Sequence, residues 1–316
     1  MFKLIPSVAD YIWGGRRLIE EYGIKTDKDP AAEAWVLSCH SAGPSTVEDG
    51  EFKGQTLEQV WENHKEICGT NGNKFEFFPI LIKFIDAKNN LSIQVHPDND
   101  YAMRVEGEYG KTEAWYILDC DEGAELILGF NREVSVEEFK KAAQSEEMLN
   151  IVNKVKVKKG DLFFIESGTL HAICKGILLA EVQQNSNTTY RVYDYGRLQN
   201  GKPRELHIEK ALDVLNLKKT AETDFEPKET ELIGESKRTL LASCKSFTSY
   251  RLDVKESLKV TADESSFVSL VALDGNGVLC HKDSVLTFYK GESVFLPAGL
   301  GEVELLGSLT VLETRI

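Results

Sequence analysis

Short apolar or alternating runs follow one another along the chain: Trp35 to Cys39, Ile80 to Ile85, Leu91 to His96, Ala114 to Leu118, Leu126 to Phe130, Leu162 to Ile165, Ile177 to Val182 and Tyr190 to Tyr193. Gly, Asn and Asp punctuate them, which predicts an antiparallel all-β sandwich or barrel. Lys154-Val155-Lys156-Val157-Lys158-Lys159 alternates with period two and reads as a strand with one wet face. Helices are the minority. Thr56 with Gln59 makes a capping box ahead of Leu57, Val60, Trp61, His64, Ile67 and Cys68, which share one helical face until Gly69. Ser135 with Glu138 opens a second helix, and Leu206, Ala211, Leu212 and Leu215 predict a third over Leu206 to Leu217.

The run Lys159-Gly160-Asp161-Leu162-Phe163-Phe164-Ile165-Glu166-Ser167-Gly168 returns as Lys290-Gly291-Glu292-Ser293-Val294-Phe295-Leu296-Pro297-Ala298-Gly299. An internal echo of this kind implies two related β-domains. His171 stands three residues after Gly168, whereas Glu302 holds the matching place after Gly299. The expectation is therefore a catalytic domain over 1–225 with helical insertions and a second, metal-free domain over 226–316. Lys218 to Glu235, polar and acidic, suits a linker or an exposed crossing.

At 316 residues and 42% hydrophobic content the chain can bury a substantial core. A formal net charge of -14 leaves no field favouring a polyanion, so nucleic acid is not expected as a partner. The opening residues meet Pro6 and Asp10 before a leader-like apolar stretch develops, and no later run is long enough to span a bilayer. The expectation is a cytoplasmic protein without a membrane or an obligate protein partner. The six cysteines are scattered without a Cys-x-x-Cys pair, which reads as reduced thiols.

Alternate side chains of a strand share a face, so Gln94 and His96 point the same way and His171, arriving on another strand, can meet them. With Glu113 these residues offer two imidazoles, a carboxylate and an amide oxygen. That set suits a borderline divalent ion at an open, catalytic type of site; zinc leads, and Fe(II), Mn and Co share the chemistry. Glu181 to Asp194 is dense in hydrogen-bonding side chains, and a polar ligand explains it, with Gln183 and Asn187 as candidate contacts. Arg191 is either the cation that neutralises such a ligand or a salt-bridge partner of Asp194 or Glu181. Lys83 lies inside an apolar strand, either snorkelling at an edge or functional, and burial would lower its pKa toward general-base range. Lys111 is a phosphate contact or a solvated loop lysine. His40, His64 and His207 read as structural or surface residues.

Trp13-Gly14-Gly15, Glu33-Ala34-Trp35, Ser92-Ile93-Gln94-Val95-His96-Pro97, Lys111-Thr112-Glu113, Gly168-Thr169-Leu170-His171-Ala172 and the Glu181 to Arg191 segment resemble the type I phosphomannose isomerases in their short bacterial form. The resemblance runs nearly end to end. It implies a mainly β fold of two cupin-type antiparallel jelly rolls with a few peripheral helices. It also implies one Zn2+ per chain on Gln94, His96, Glu113 and His171, Arg191 as the catalytic arginine, and Lys83 and Glu181 lining the sugar site. The reaction it implies interconverts mannose 6-phosphate and fructose 6-phosphate through an enediol, with Lys83 or Glu181 moving the proton. Asn187 stands where many members carry an Asp. Two rivals remain at this level: an Fe(II)-dependent cupin dioxygenase, since two histidines and a carboxylate also make a facial triad, and a non-catalytic sugar-phosphate-binding cupin.

Overall fold

A computed structural model describes residues 1–221 and 229–316. Strands form at every run singled out by the hydrophobic pattern, at Glu33–Leu37, Ile80–Ala87, Ile93–Val95, Glu113–Cys120, Glu125–Phe130, Leu162–Ile165, Ile177–Gln184 and Tyr190–Tyr193. Val152–Lys156 covers the first part of the lysine-valine run, with Lys154 and Lys156 exposed and Val155 between them partly buried. The fold is mainly β and cupin-like, with few helices. The point between 225 and 226 and the centre of the Lys218–Glu235 stretch lie outside the described residues. Beyond them Thr230–Ile233 is an exposed strand paired with Ser236–Ser243.

Two sheets face each other in the N-terminal part. One has six strands in the order Leu162–Ile165, Glu113–Cys120, Ile177–Gln184, Ile80–Ala87, Glu33–Leu37, Ser7–Ala9. The other has five, in the order Tyr190–Tyr193, Ile93–Val95, His171–Ile173, Glu125–Phe130, Val152–Lys156. Between them pack Trp13, Ile85, Trp115, Leu126, Phe163, Ile173 and Leu179. The far face of the six-stranded sheet is buried too, because Ile80, Ile82, Phe84, Leu178, Ala180 and Val182 pack with Phe267, Val271, Phe295 and Leu312 of the C-terminal part. This double burial explains why Ile80–Ala87 and Ile177–Gln184 read as continuous apolar strands instead of alternating ones. Three charged residues are the exceptions: Lys83 and Glu181 point to the inside of the sandwich, and Asp86, near its strand's end, accepts from the Arg17 amide at 2.9 Å.

The C-terminal part builds a nine-stranded sheet in which Phe2–Ile5 pairs with Ser293–Leu296, so the first residues of the chain are stitched into it. The sequence echo is repeated in the hydrogen bonds. Gly160 and Gly291 both have positive φ, as do Gly168 and Gly299. The Asp161 carboxylate accepts from the amide of Lys158 at 2.9 Å, and that of Glu292 from Tyr289 at 2.8 Å. Gly168 donates to the His96 carbonyl and Gly299 to that of Asp263. Register then fixes the counterparts of the candidate ligands: His171 is paired with Gln94, Glu302 with Thr261, Ile165 with Glu113, and Leu296 with Val268. The second copy thus carries Thr261, Asp263, Val268 and Glu302 where the first has Gln94, His96, Glu113 and His171.

Two helices are shorter than the sequence pattern predicts. The first runs over Leu57–Asn63 with the Thr56–Gln59 capping box in place, breaks at His64, and continues as a 3-10 turn at Lys65–Cys68. Gly69 ends it with φ +73, where an added Cβ would lie 2.6 Å from the Ser265 carbonyl carbon. The third begins only at Ile208, because His207 is tied to Arg191 by two hydrogen bonds: its amide donates to the Arg191 carbonyl at 2.7 Å and its Nδ1 accepts from the Arg191 amide at 3.1 Å. Leu206, held outside the helix, is exposed. The second helix starts at Val136 with Ser135 as its cap, as its pattern predicts.

Candidate metal centre and active site

The two sheets bring His96, Glu113 and His171 together, although Glu113 comes from one sheet and the histidines from the other. Their ligand atoms all lie within 4.8 Å of one another, and all three residues are buried. His96 Nδ1–H donates to the Thr188 carbonyl at 2.9 Å and His171 Nδ1–H to that of Thr169 at 2.8 Å. A nitrogen facing a carbonyl must carry the hydrogen, so each Nε2 keeps its lone pair. These two Nε2 atoms are only 3.1 Å apart. Burial, reinforced by the Lys111 charge, holds both imidazoles neutral, with His171 pushed down to about 4.

Two facing acceptors beside a carboxylate call for a cation. Lys111 supplies one, its Nζ 3.2 Å from His96 Nε2 and 2.6 Å from Glu113 Oε2. Glu113 Oε1 is buried and accepts no hydrogen bond. Burial, and then the nearby Glu181 charge, push the Glu113 carboxyl upward, whereas Lys111 and Lys83 hold Glu181 down despite its own burial. The donor set therefore fits a divalent ion held by two neutral imidazoles and one carboxylate. Gln94 stands beside this set, its Nε2 3.5 Å from His96 Nε2 and its Oε1 3.4 Å from the Ser92 hydroxyl. A half-turn of the amide would exchange the two atoms.

Next to the cluster lies a cavity of about 260 Å³, lined by Trp13, Lys83, Gln94, Lys111, Glu181, Asn187, Arg191 and Arg204 among others. Lys83 sits between Glu33 at 3.5 Å and Glu181 at 3.4 Å, with its ammonium 4.9 Å from the centre of the Trp35 ring. Burial alone would lower its pKa, but Glu33, Glu181 and Glu113 outweigh burial and the net shift is upward. This corrects the expectation of a lysine drifting toward general-base range: the apolar strand does bury Lys83, but carboxylates from neighbouring strands keep it charged. Gln183 is completely buried away from the cavity, with its Nε2 donating to the carbonyls of Gln184 and Ser186, both at 2.7 Å.

Arg191 donates through Nη1 to the Glu205 carbonyl at 2.9 Å, while its Nε is buried without a partner. The salt bridge to Asp194 that competed for it does not form. Asp194 instead takes Arg197 and, through both oxygens, Arg204 at 2.8 and 2.5 Å. Arg204 therefore reaches the cavity as a second cation beside Arg191.

The type I phosphomannose isomerase catalytic domain matches residues 1–130, and the mannose-6-phosphate isomerase cupin domain matches 236–316. Mannose-6-phosphate isomerase ManA of Bacillus subtilis is 39% identical over 307 residues, covering 96% of this chain and 94% of that protein. The chain belongs to the mannose-6-phosphate isomerase family. The Streptococcus mutans mannose-6-phosphate isomerase is 38% identical over 305 residues, 96% of this chain and 94% of its own length. The crystal structure of the mannose 6-phosphate isomerase from Bacillus subtilis superposes with a TM-score of 0.92 at 37% identity, covering 100% of this chain and 99% of that one.

Within this member of the mannose-6-phosphate isomerase family, sequence reasoning missed Arg204 and Glu33 as residues lining the cavity. Arg204 follows the hairpin Leu198–Gln199/Lys202–Pro203, and nothing in its local pattern says that Asp194 will fold it back toward Arg191. His207, read as structural or surface, takes a structural place, tied to the Arg191 backbone on a neighbouring strand.

Proposed function

We propose that this chain interconverts mannose 6-phosphate and fructose 6-phosphate by proton transfer between C2 and C1 through an enediol, using one zinc ion. The observation that carries this reading is the joining of the buried His96–Glu113–His171 cluster to a polar cavity that Arg191 and Arg204 also line. His96, Glu113 and His171 would hold the ion, with Gln94 as an adjoining fourth donor. When bound, a divalent ion there supplies positive charge toward a substrate oxygen that becomes negative in the transition state.

The chain's own groups do the rest. Arg191 and Arg204 present guanidinium edges to the phosphate, which anchors the sugar with its C1–C2 end toward the cluster. Lys83 and Lys111, both ammonium donors, lie where oxygens O1 and O2 would gain charge. Glu181 is the ionised carboxylate between them, with its Oε2 fixed by Trp115 Nε1–H at 2.7 Å and its Oε1 3.4 Å from Lys83 Nζ and 3.9 Å from Lys111 Nζ. We assign it the proton transfer: it takes the C2 proton of the open-chain aldose and returns it to C1, while the proton on O2 is exchanged for one on O1. Asn187 lines the cavity as a neutral hydrogen-bonding group.

The direct test is turnover of mannose 6-phosphate coupled to detection of fructose 6-phosphate, before and after chelation and with zinc restored. Absence of product from metal-replete protein would refute the reading, and loss on chelation with recovery on zinc is expected. For the anion wall, Arg204→Ala is expected to raise KM for the phosphorylated sugar about tenfold, the scale of one charge-assisted hydrogen bond. An unchanged KM would remove Arg204 from the phosphate site.

A further inference from the structure

We infer that Glu108 is a positioning residue: its carboxylate holds the 186–188 segment so that the Thr188 carbonyl orients His96. This rests on the metal-centre reading above but adds a residue that touches neither ion nor substrate. Glu108 lies between Gly107 and Tyr109, just past the helix Asn99–Val105. Its Oε2 accepts from the Asn187 amide at 3.0 Å, the Ser186 hydroxyl at 3.2 Å and the Thr188 hydroxyl at 3.3 Å. Three consecutive residues of one loop thus converge on a single oxygen. His40 approaches the same oxygen at 3.7 Å, and because its Nδ1 accepts from the Ala42 amide at 3.1 Å, its Nε2 is the nitrogen free to face Glu108 with a hydrogen.

The next link is equally specific. The carbonyl of Thr188 receives His96 Nδ1–H, which is what turns His96 Nε2 toward His171 and Glu113. Outer partners of a ligating histidine fix its tautomer and ring angle, and their loss typically weakens metal binding by about 10- to 100-fold. The loop has other ties, from Gln183 Nε2 to the Ser186 carbonyl and from the Thr188 amide to the Ser186 hydroxyl. Those ties run within one segment, and Glu108 anchors the loop to a different part of the fold. His40, and also the Asn187 amide against burial, hold the Glu108 carboxyl down to about 2, so it remains an anion throughout the working range.

The test compares wild type with Glu108→Ala and Glu108→Gln, measuring zinc affinity by competition with a chromophoric chelator alongside kcat, KM and thermal stability. Zinc affinity and kcat are each expected to fall about tenfold in Glu108→Ala with KM within twofold, because the phosphate wall does not depend on Glu108. Glu108→Gln, which keeps an acceptor of the same shape, is expected to recover most of both. A folded Glu108→Ala with wild-type zinc affinity and kcat would overturn the inference, as would a loss confined to thermal stability. If Glu108→Ala does not fold, Glu108→Asp takes its place, because the shorter carboxylate cannot reach all three donors of the 186–188 segment; a folded Glu108→Asp with wild-type zinc affinity and kcat would overturn the inference. Failure of the wild-type protein to bind zinc would instead sink the metal-centre reading itself.

Discussion

Replacing His171 with alanine is expected to abolish stoichiometric metal binding and cut isomerase turnover by at least about a thousandfold. His171 supplies one of only two imidazoles in the cluster, and its Nε2 lies 3.1 Å from His96 Nε2 and 3.4 Å from Glu113 Oε1. Without it, His96 and Glu113 remain, and the Lys111 ammonium already lies against both. A two-ligand site with a resident cation of its own competes poorly for a dilute ion. The alanine also vacates a fully buried space against Trp115, whose ring centre lies 5.4 Å from that of the imidazole, so stability should be checked in the same sample. Elemental analysis and coupled turnover give the answer together. A folded variant that retains one equivalent of metal and activity within tenfold of wild type would remove His171 from the centre.

Glu181→Gln is expected to lower kcat by about 10²- to 10³-fold with KM changed by less than about threefold, the pattern of a group that acts in the transition state. The substitution is nearly isosteric, so packing is preserved, and the carboxamide oxygen can still accept from Trp115 Nε1–H. What disappears is the negative charge between Lys83 and Lys111 and the ability to take a proton. Solvent-isotope labelling separates the roles: slowed exchange at C2 in step with slowed isomerisation assigns the proton to Glu181. Isomerisation at the wild-type rate would transfer the proton to another group.

The strands were legible because eight short runs carried the alternation or continuous apolarity that sheets require, and the meeting of His96 with His171 because each lies at the end of a short strand whose direction its neighbours fix. The repeat was legible down to its glycines, since Gly160, Gly168, Gly291 and Gly299 all need positive φ. What sequence did not disclose was contact between distant strands. Lys83 looked like a displaced base until Glu33 and Glu181 were placed on either side of it. Arg191 had an apparent partner in Asp194, which the fold gives to Arg197 and Arg204. Helix limits failed for a related reason: the Leu206 to Leu217 pattern was correct in period, but two hydrogen bonds between His207 and Arg191 override helical propensity at its start.

The six-stranded sheet that carries Glu113, Lys83 and Glu181 has its reverse side pressed onto Phe267, Val271, Phe295 and Leu312 of the second copy. A gene fragment encoding the first copy alone would yield a polypeptide with an oily flank and, with Phe2–Ile5 cut off from Ser293–Leu296, a loose leading strand. Such a product would tend to precipitate before it could turn over substrate. The second copy, which carries Thr261, Asp263, Val268 and Glu302 at the positions matching Gln94, His96, Glu113 and His171, thus keeps a duty of its own that does not depend on those ligand types: it shields the reverse side of its twin's sheet from water.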